Sequence, residues 1–199
     1  RRILPVRISG PTEGLSGDGR ISISFLAGRP PVSNDRQTWT KHFRHFLKGA
    51  VAQAALSAMK ALELDGTEKR QILLFFADGE NEPAGLRLVL QPFYPREARD
   101  WLTAVATDLL TGTHAYLLPC DAVYQEYQDR EKGCAPDGHN LFTAIKEMAG
   151  DEWRSFPSLW GPVPTPRLYE PPAPGEASRM VERRFEPFFK KITGREVLR

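Results

Sequence analysis

The sequence is short of cysteine, of long apolar runs and of net charge, and each shortage excludes a class of protein. Its two cysteines, Cys120 and Cys134, fit a reducing compartment, since secreted disulfide scaffolds usually carry more. No apolar run approaches the roughly 20 residues that span a bilayer, so we expect no membrane partner. The net charge of +2 does not by itself indicate a nucleic-acid or membrane ligand. These shortages together predict a cytoplasmic protein.

Catalytic signatures are also missing. Metal-dependent nucleases on a mixed sheet often use an acid on one strand and Asp/Glu-x-Lys on the next, where the lysine orients the attacking water. No Asp or Glu in this chain has a lysine two residues later. The nearest approach is Glu68-Lys69-Arg70, and arginine cannot lose its proton to act as a base. The Gly-x-Ser-x-Gly elbow and the phosphate-binding loop are absent too, so we predict no catalytic residue.

The pattern of apolar residues and turn residues predicts one domain over residues 1–199, with a proline-rich surface excursion at 151–175. The start at Arg1 instead of Met predicts a fragment of a longer chain. Strands are predicted at 3–9, 20–26, 70–77 and 86–93. Helices are predicted at 34–64, 95–111, 119–132, 141–149 and 176–191. This order is typical of an α/β (α+β) fold in which helices cover one sheet.

Two of these segments have a clear periodicity. In the helix at 34–64, Asp35 is the expected N-cap, with Thr38 as the weaker alternative. Its first half is predicted to bury Trp39, Phe43, Phe46, Leu47 and Ala50. After Gly49 the predicted buried set rotates to Val51, Ala54, Ala55, Ala58, Met59 and Leu62. In the strand at 20–26, isoleucine and phenylalanine alternate with serine, which predicts a half-buried strand.

The long helix also carries a basic stripe opposite its apolar side. Successive cations on one helical face can follow a phosphate backbone, although a charged stripe is usually a solvated surface. The candidate DNA-binding residues are Lys41, Arg44, His45 and Lys48. Arg179, Arg183 and Arg184 form a smaller patch, in which Arg183 and Arg184 are the candidates for DNA binding. This patch can equally pair with the glutamates at 176, 182 and 186.

Two further clusters have metal-binding atoms in an unfavourable context. The zinc-type ligands are His114, Cys120, Cys134 and His139. Structural zinc sites place cysteines two to four residues apart, which these are not. The acidic turn consists of Asp78, Glu80 and Glu82, for which a solvated turn is the expected role. We therefore predict no metal and no cofactor.

Large aromatic residues mark the proline-rich segment. They are Trp153, Phe156, Trp160 and Tyr169. Proline-rich loops with such rings often pack on a neighbouring domain, so these four are candidate partner-interface residues. Packing on the protein's own core is the alternative, and we favour it.

Four stretches, taken in order, resemble the C-terminal region of the RecC family, the gamma chain of exodeoxyribonuclease V. RRILPVRISG resembles the entry strand, and the helix ending in FRHFLKGAVAQAAL resembles the following long helix. A third stretch, LQPFYPREARDWLTAVATDLLTGTHAYLLPCDAVYQEY, resembles the family's acidic-and-alanine helix and the step into the next helix. ERRFEPFF resembles the closing helix with its Phe-x-Pro.

The resemblance implies a restriction-nuclease-like fold, a mixed sheet flanked by helices, that has lost its catalytic residues. It also implies an ATP-dependent helicase–nuclease complex for double-strand break repair, in which this domain docks the other subunits and contacts DNA. The iron–sulfur cluster of related AddB-type chains needs four cysteines, more than this chain has. Two alternatives stay open. One is an active nuclease of the PD-(D/E)xK type using Asp18, Asp78 and Glu80, and the other is a stand-alone protein-interaction scaffold.

Overall fold

The computed structural model describes residues 14–16, 18–28, 34–60, 68–77, 84–111, 120–131 and 174–198. Its strands are β1 (Ile21–Ala27), β2 (Arg70–Ala77), β3 (Ala84–Leu90) and β4 (Ile192–Leu198). Its helices are α1 (Arg36–Ala58), α2 (Pro95–Thr111), α3 (Cys120–Glu131), α4 (Pro174–Arg184) and α5 (Glu186–Phe189). Across these ranges no helix is both long enough and apolar enough to cross a membrane.

The four strands form one mixed sheet in the order β1-β2-β3-β4. β1 and β2 run parallel, with Ile23 opposite Leu73, and α1 makes the crossover that parallel neighbours require. β2 pairs with β3 in antiparallel fashion, and β3 pairs with β4 in the same way. The expected mixed α/β class, one sheet with helices packed on it, is therefore confirmed.

The first half of α1 begins and buries its side chains as predicted. The carboxylate of Asp35 accepts a hydrogen bond from the Thr38 backbone N–H at 2.7 Å, so Asp35 is the N-cap. The predicted buried set of this half is buried, or partly buried at Leu47: Trp39, Phe43, Phe46, Leu47 and Ala50. The helix ends at Ala58, earlier than predicted, and Lys60 follows in a left-handed conformation with φ of 56°.

Aromatic rings fill the layer between the sheet and the helices. Phe43 stacks on Tyr124 of α3 with 4.3 Å between ring centroids, and lies 5.7 Å from the Phe188 ring of α5. Phe93 stacks on Trp101 of α2 at 5.1 Å. Such ring pairs add about 0.5–1.5 kcal/mol each beyond their buried area. The core therefore lies on the side of the sheet that α1, α2, α3 and α5 cover.

The predicted burial in the second half of α1 is wrong at two positions. Val51 and Met59 are 38% and 67% exposed. The buried side of this half of the helix instead carries the polar residues Gln53 and Ser57. Gln53 can be buried because its amide nitrogen donates to Ser22 Oγ and to a backbone carbonyl of β2. The predicted Leu62 lies outside the described residues.

β1 turns its serine side toward the helices. The alternation predicts a half-buried strand, and the buried side is polar: Ser22 is 4% exposed, whereas Phe25 is 78% exposed. α1 approaches closely here, since a Cβ atom added to Gly49 would lie 3.1 Å from the Ser22 Cβ. The close approach favours a small side chain beneath the helix. Ile23 and Phe25 consequently lie on the opposite face of the sheet, whereas Leu26 packs against the core on the side of the helices.

The end of the chain differs from the predicted helix at 176–191. α4 ends at Arg184, the single turn α5 follows, and residues 192–198 form β4. The segment ITGREVL is a strand because it pairs with β3, although its sequence contains glycine and two charges. The apolar residues of the predicted helix are buried at Met180, Val181, Phe188 and Phe189. The elements predicted at 3–9 and 141–149 lie outside the described residues. So does the surface excursion predicted at 151–175, except for its last two residues, Pro174 and Gly175, which begin α4.

Candidate nucleic-acid interface

Three basic residues lie along the solvent-facing side of α1. Lys41, Arg44 and Lys48 are exposed, whereas Phe43 and Phe46 on the other side are buried. We call these three residues the basic face of α1. At a rise of 1.5 Å per residue the basic face is about 10 Å long. One DNA strand carries a phosphate about every 3.4 Å along the axis, so the face spans about three phosphates. It can hold a backbone by charge without reading bases.

Two histidines lie beside these cations. The ring centroids of His42 and His45 are 6.4 Å apart, and the His42 ring packs edge-to-face on Phe76 at 4.8 Å. Burial lowers the pKa of His42, and the charges of Lys41, His45 and Arg44 lower it further. Burial also lowers the pKa of His45, with a smaller effect from Arg44. Both imidazoles are therefore mostly neutral at pH 7, and the lysines and the arginine supply the charge.

The candidates Arg183 and Arg184 have a partner that the sequence pattern does not indicate. Their Nε atoms donate to the Asp108 carboxylate of α2 at 2.9 Å and 2.8 Å. Burial raises the pKa of Asp108, but the hydrogen bonds from Arg184 and Arg183 outweigh it and hold the pKa below its usual value. The two arginines therefore link α4 to α2. They do not extend the basic face, which lies on α1.

Asp18, a ligand of the alternative nuclease centre, lies in the turn before β1. Its Oδ1 accepts hydrogen bonds from Ser16 Oγ at 2.6 Å and from the Arg20 backbone N–H at 3.0 Å. These two hydrogen bonds lower the pKa of Asp18. The contacts are those of a residue that stabilises a turn.

Most of the other candidate residues lie outside the described ranges. Cys120 is the first residue of α3. The structure does not describe the remaining candidates, which are His114, Cys134, His139, Asp78, Glu80, Glu82, Trp153, Phe156, Trp160 and Tyr169. Within the described part of the chain, no group of three or more His, Cys, Asp and Glu side chains is placed to hold a metal ion.

Sequence reasoning missed a shallow groove between α2 and the end of the chain. It has a volume of about 600 Å³, and Tyr94, Trp101 and Pro187 form part of its lining. Lys191 contacts two of the lining residues: its Nζ pairs with Glu97 at 2.7 Å and lies 5.6 Å from the Tyr94 ring centroid. Charges of both signs line the rim, so the groove does not define a ligand class. No local pattern signals it, because its walls are some 80 residues apart in sequence.

Comparisons with protein-family models, with curated protein sequences and with solved structures find no match to this chain. The described residues define a mixed α/β domain whose longest helix presents a basic face. The function therefore has to follow from the residues themselves and from the sequence resemblance.

Proposed function

We propose that this chain is a non-catalytic domain of a helicase–nuclease that processes double-strand breaks, comparable to the C-terminal domain of the RecC gamma chain. The domain docks the other subunits and contacts DNA through the basic face of α1. The four stretches that resemble RecC support the proposal, as does the mixed sheet beneath helices. The single observation that carries the DNA contact is the exposure of Lys41, Arg44 and Lys48 on one side of α1.

Counterion release gives the DNA contact its energetic basis. Three cations that neutralise three phosphates release the counterions condensed there, so affinity falls as salt rises. For duplex DNA the slope of log K against log salt is expected to be about −2.7. The net charge of the chain is only +2, so the attraction is local to the basic face. Phosphate contacts of this kind carry no sequence information.

The surroundings of Glu68-Lys69-Arg70, the tripeptide closest to a nuclease motif, support a domain that binds DNA without cleaving it. Arg70 is 1% exposed at the start of β2. Glu68 forms an ion pair with Arg20, and Lys69 is exposed. A metal-dependent centre needs an acid and a lysine that converge on one water molecule. The side chains of Glu68, Lys69 and Arg70 instead lie in different surroundings and do not converge on one site.

Fluorescence anisotropy with a short labelled duplex tests the DNA contact. The Lys41→Ala/Lys48→Ala variant is expected to bind more weakly, with a salt slope reduced by about 1.8. Lys69→Ala is the matched control, because Lys69 is exposed but lies outside the basic face, and it should leave the slope unchanged. An anisotropy signal that stays flat during titration would remove the DNA contact from the proposal.

Incubation with linear DNA and Mg²⁺ or Mn²⁺ tests the absence of catalysis. We expect the DNA to remain intact, since the chain has no Asp/Glu-x-Lys. Sustained cleavage that Asp78→Ala abolishes would replace the proposal with the alternative of an active nuclease.

A further inference from the structure

The arginine of the basic face contacts an imidazole in a way that requires the ring to be neutral. Arg44 Nε lies 3.4 Å from His45 Nε2 and donates a hydrogen bond to it. A guanidinium group donates hydrogen bonds and accepts none, so His45 Nε2 is the acceptor and carries no proton. A proton added at Nε2 would remove this acceptor and place two cations side by side. The Arg44 side chain would then leave the ring.

His45 also lies within the row of cations that forms the basic face. Lys41 is four residues before His45 and Lys48 is three residues after it, so the three side chains are neighbours on one side of α1. The imidazole is partly exposed there. A proton on this ring therefore adds a further charge to the basic face and does not create a separate patch.

The strands beneath α1 bring no charge to its two histidines. β1 has no titratable side chain along its length. β2 meets the histidine pair with the Phe76 ring, which packs edge-to-face on His42 at 4.8 Å. The one titratable residue of β2 is Arg70, and it lies at the opposite end of that strand from Phe76. The sheet therefore neither attracts nor repels a proton on His45.

The helices packed against α1 do not compensate such a proton either. The Arg99 side chain of α2 contacts the C-terminal end of α1, away from the basic face. α3 lies beside the first half of α1, and its described acids, Glu126 and Asp129, are not among the charges that shift the pKa of His42 or His45. α5 contributes phenylalanine rings to the core. Among the described residues, the charges that lower these two pKa values all lie on α1.

We propose that His45 is a proton switch for the DNA contact: the neutral ring holds Arg44, and the protonated ring releases Arg44 and adds its own charge to the basic face. The inference rests on the proposed function and supplies its regulation. A phosphate beside the ring favours the charged imidazole, so DNA binding and protonation strengthen each other. One further phosphate contact makes the salt slope steeper by about 0.9. The affinity for DNA therefore rises as the pH falls.

Fluorescence anisotropy with a labelled duplex at about pH 7.5 and about pH 5.5 tests the switch. At about 0.1 M salt, the affinity of the unmodified chain should rise by up to about eightfold at the lower pH. His45→Gln cannot take up the proton and should bind equally at both pH values. His45→Lys carries the charge throughout, so at the higher pH it should bind as tightly as the unmodified chain does at the lower one. His42→Gln is the matched control, because the His42 ring packs on Phe76, and it should keep the pH response.

NMR spectroscopy of the free chain supplies a readout that needs no DNA. The Arg44 Nε–H signal should shift as the His45 ring titrates, because the hydrogen bond between them is lost. In His45→Gln the same signal should stay constant across the pH range.

The outcomes separate the switch from the DNA contact on which it rests. Loss of the pH response in His45→Gln, with retention in His42→Gln, supports the switch. A pH response that persists in His45→Gln, or an Arg44 signal that stays constant while the His45 ring titrates, overturns the switch but leaves the DNA contact intact. Loss of the response in both glutamine variants would assign it to the overall charge of the helix, and would equally overturn the switch. Absence of binding by the unmodified chain at both pH values overturns the DNA contact and the switch together.

Discussion

Gln53 Nε2 lies 3.2 Å from Ser22 Oγ, between α1 and the strand that precedes it. The same nitrogen donates to the Gln71 carbonyl oxygen at 2.9 Å. One buried amide therefore links the crossover helix to both parallel strands. This link explains why β1 directs serine, and not isoleucine, toward α1.

Replacing Gln53 with leucine should lower the free energy of unfolding by about 1–3 kcal/mol, because Ser22 and a strand carbonyl lose a buried donor. Urea denaturation measures the change. The Gln53→Leu/Ser22→Ala variant should lose less than the two single changes added together, since removing both partners leaves fewer unsatisfied groups. Strict additivity would mean that the two side chains do not interact.

Gly49→Ala should destabilise the protein, although alanine is the better helix former by about 1 kcal/mol. The new Cβ would lie 2.8 Å from Ile72 Cγ2 and 3.1 Å from Ser22 Cβ, so the helix must move from the sheet. Overpacking of this kind costs about 1–3 kcal/mol. Gly175→Ala in α4 is the control, because nothing lies within 4 Å of its Cβ position. A higher thermal midpoint for Gly49→Ala would contradict the observed approach of α1.

Asp108→Asn should lower the free energy of unfolding by about 1.5–3 kcal/mol near neutral pH, because two guanidinium groups lose their shared carboxylate. The pKa of Asp108 in the folded state lies below its ordinary 3.8, so the folded state binds this proton less readily. The stabilisation is therefore fully present above 3.8 and is lost as the pH falls through the lowered pKa. Chemical denaturation across this acidic range should show that the free energies of unfolding of Asp108→Asn and of the unmodified protein converge. A difference that persists at the lowest pH would argue against the ion pair.

His42 should make the protein less stable as the pH falls below 6.5. Burial, followed by Lys41, His45 and Arg44, lowers the pKa of His42 in the folded state, so the unfolded state takes up the proton first. The contribution is complete above the unfolded pKa of 6.5 and declines below it. The urea midpoint should be lower at about pH 5.5 than at about pH 7.5, and the decrease should be smaller in His42→Gln. Equal falls in both proteins would assign the effect to other groups.

Local sequence patterns are sufficient to predict several elements of the fold. The cap at Asp35 and the apolar spacing of Trp39, Phe43 and Phe46 define the start and the buried side of α1. Continuous apolar runs likewise define β2 and β3, which are buried under the helices at alternate positions. These signals are local because capping and periodicity depend only on residues within a few positions of each other.

Long-range contacts decided the rest. The alternation in β1 predicts two different faces but does not predict which of them is turned toward α1. The close approach of α1 at Gly49 favours the serine face there. Residues 192–198 are a strand because β3 offers a pairing edge. Arg183 and Arg184 meet Asp108 across some 75 residues of sequence, a partner that no local charge pattern identifies.

The order and periodicity of the residues therefore predict the mixed α/β class, the long helix and the basic face upon it. Contacts between elements distant in sequence establish which side of each strand is buried and which charges are paired. The reason is physical: periodicity fixes the faces of an element, whereas burial depends on what another element brings against them.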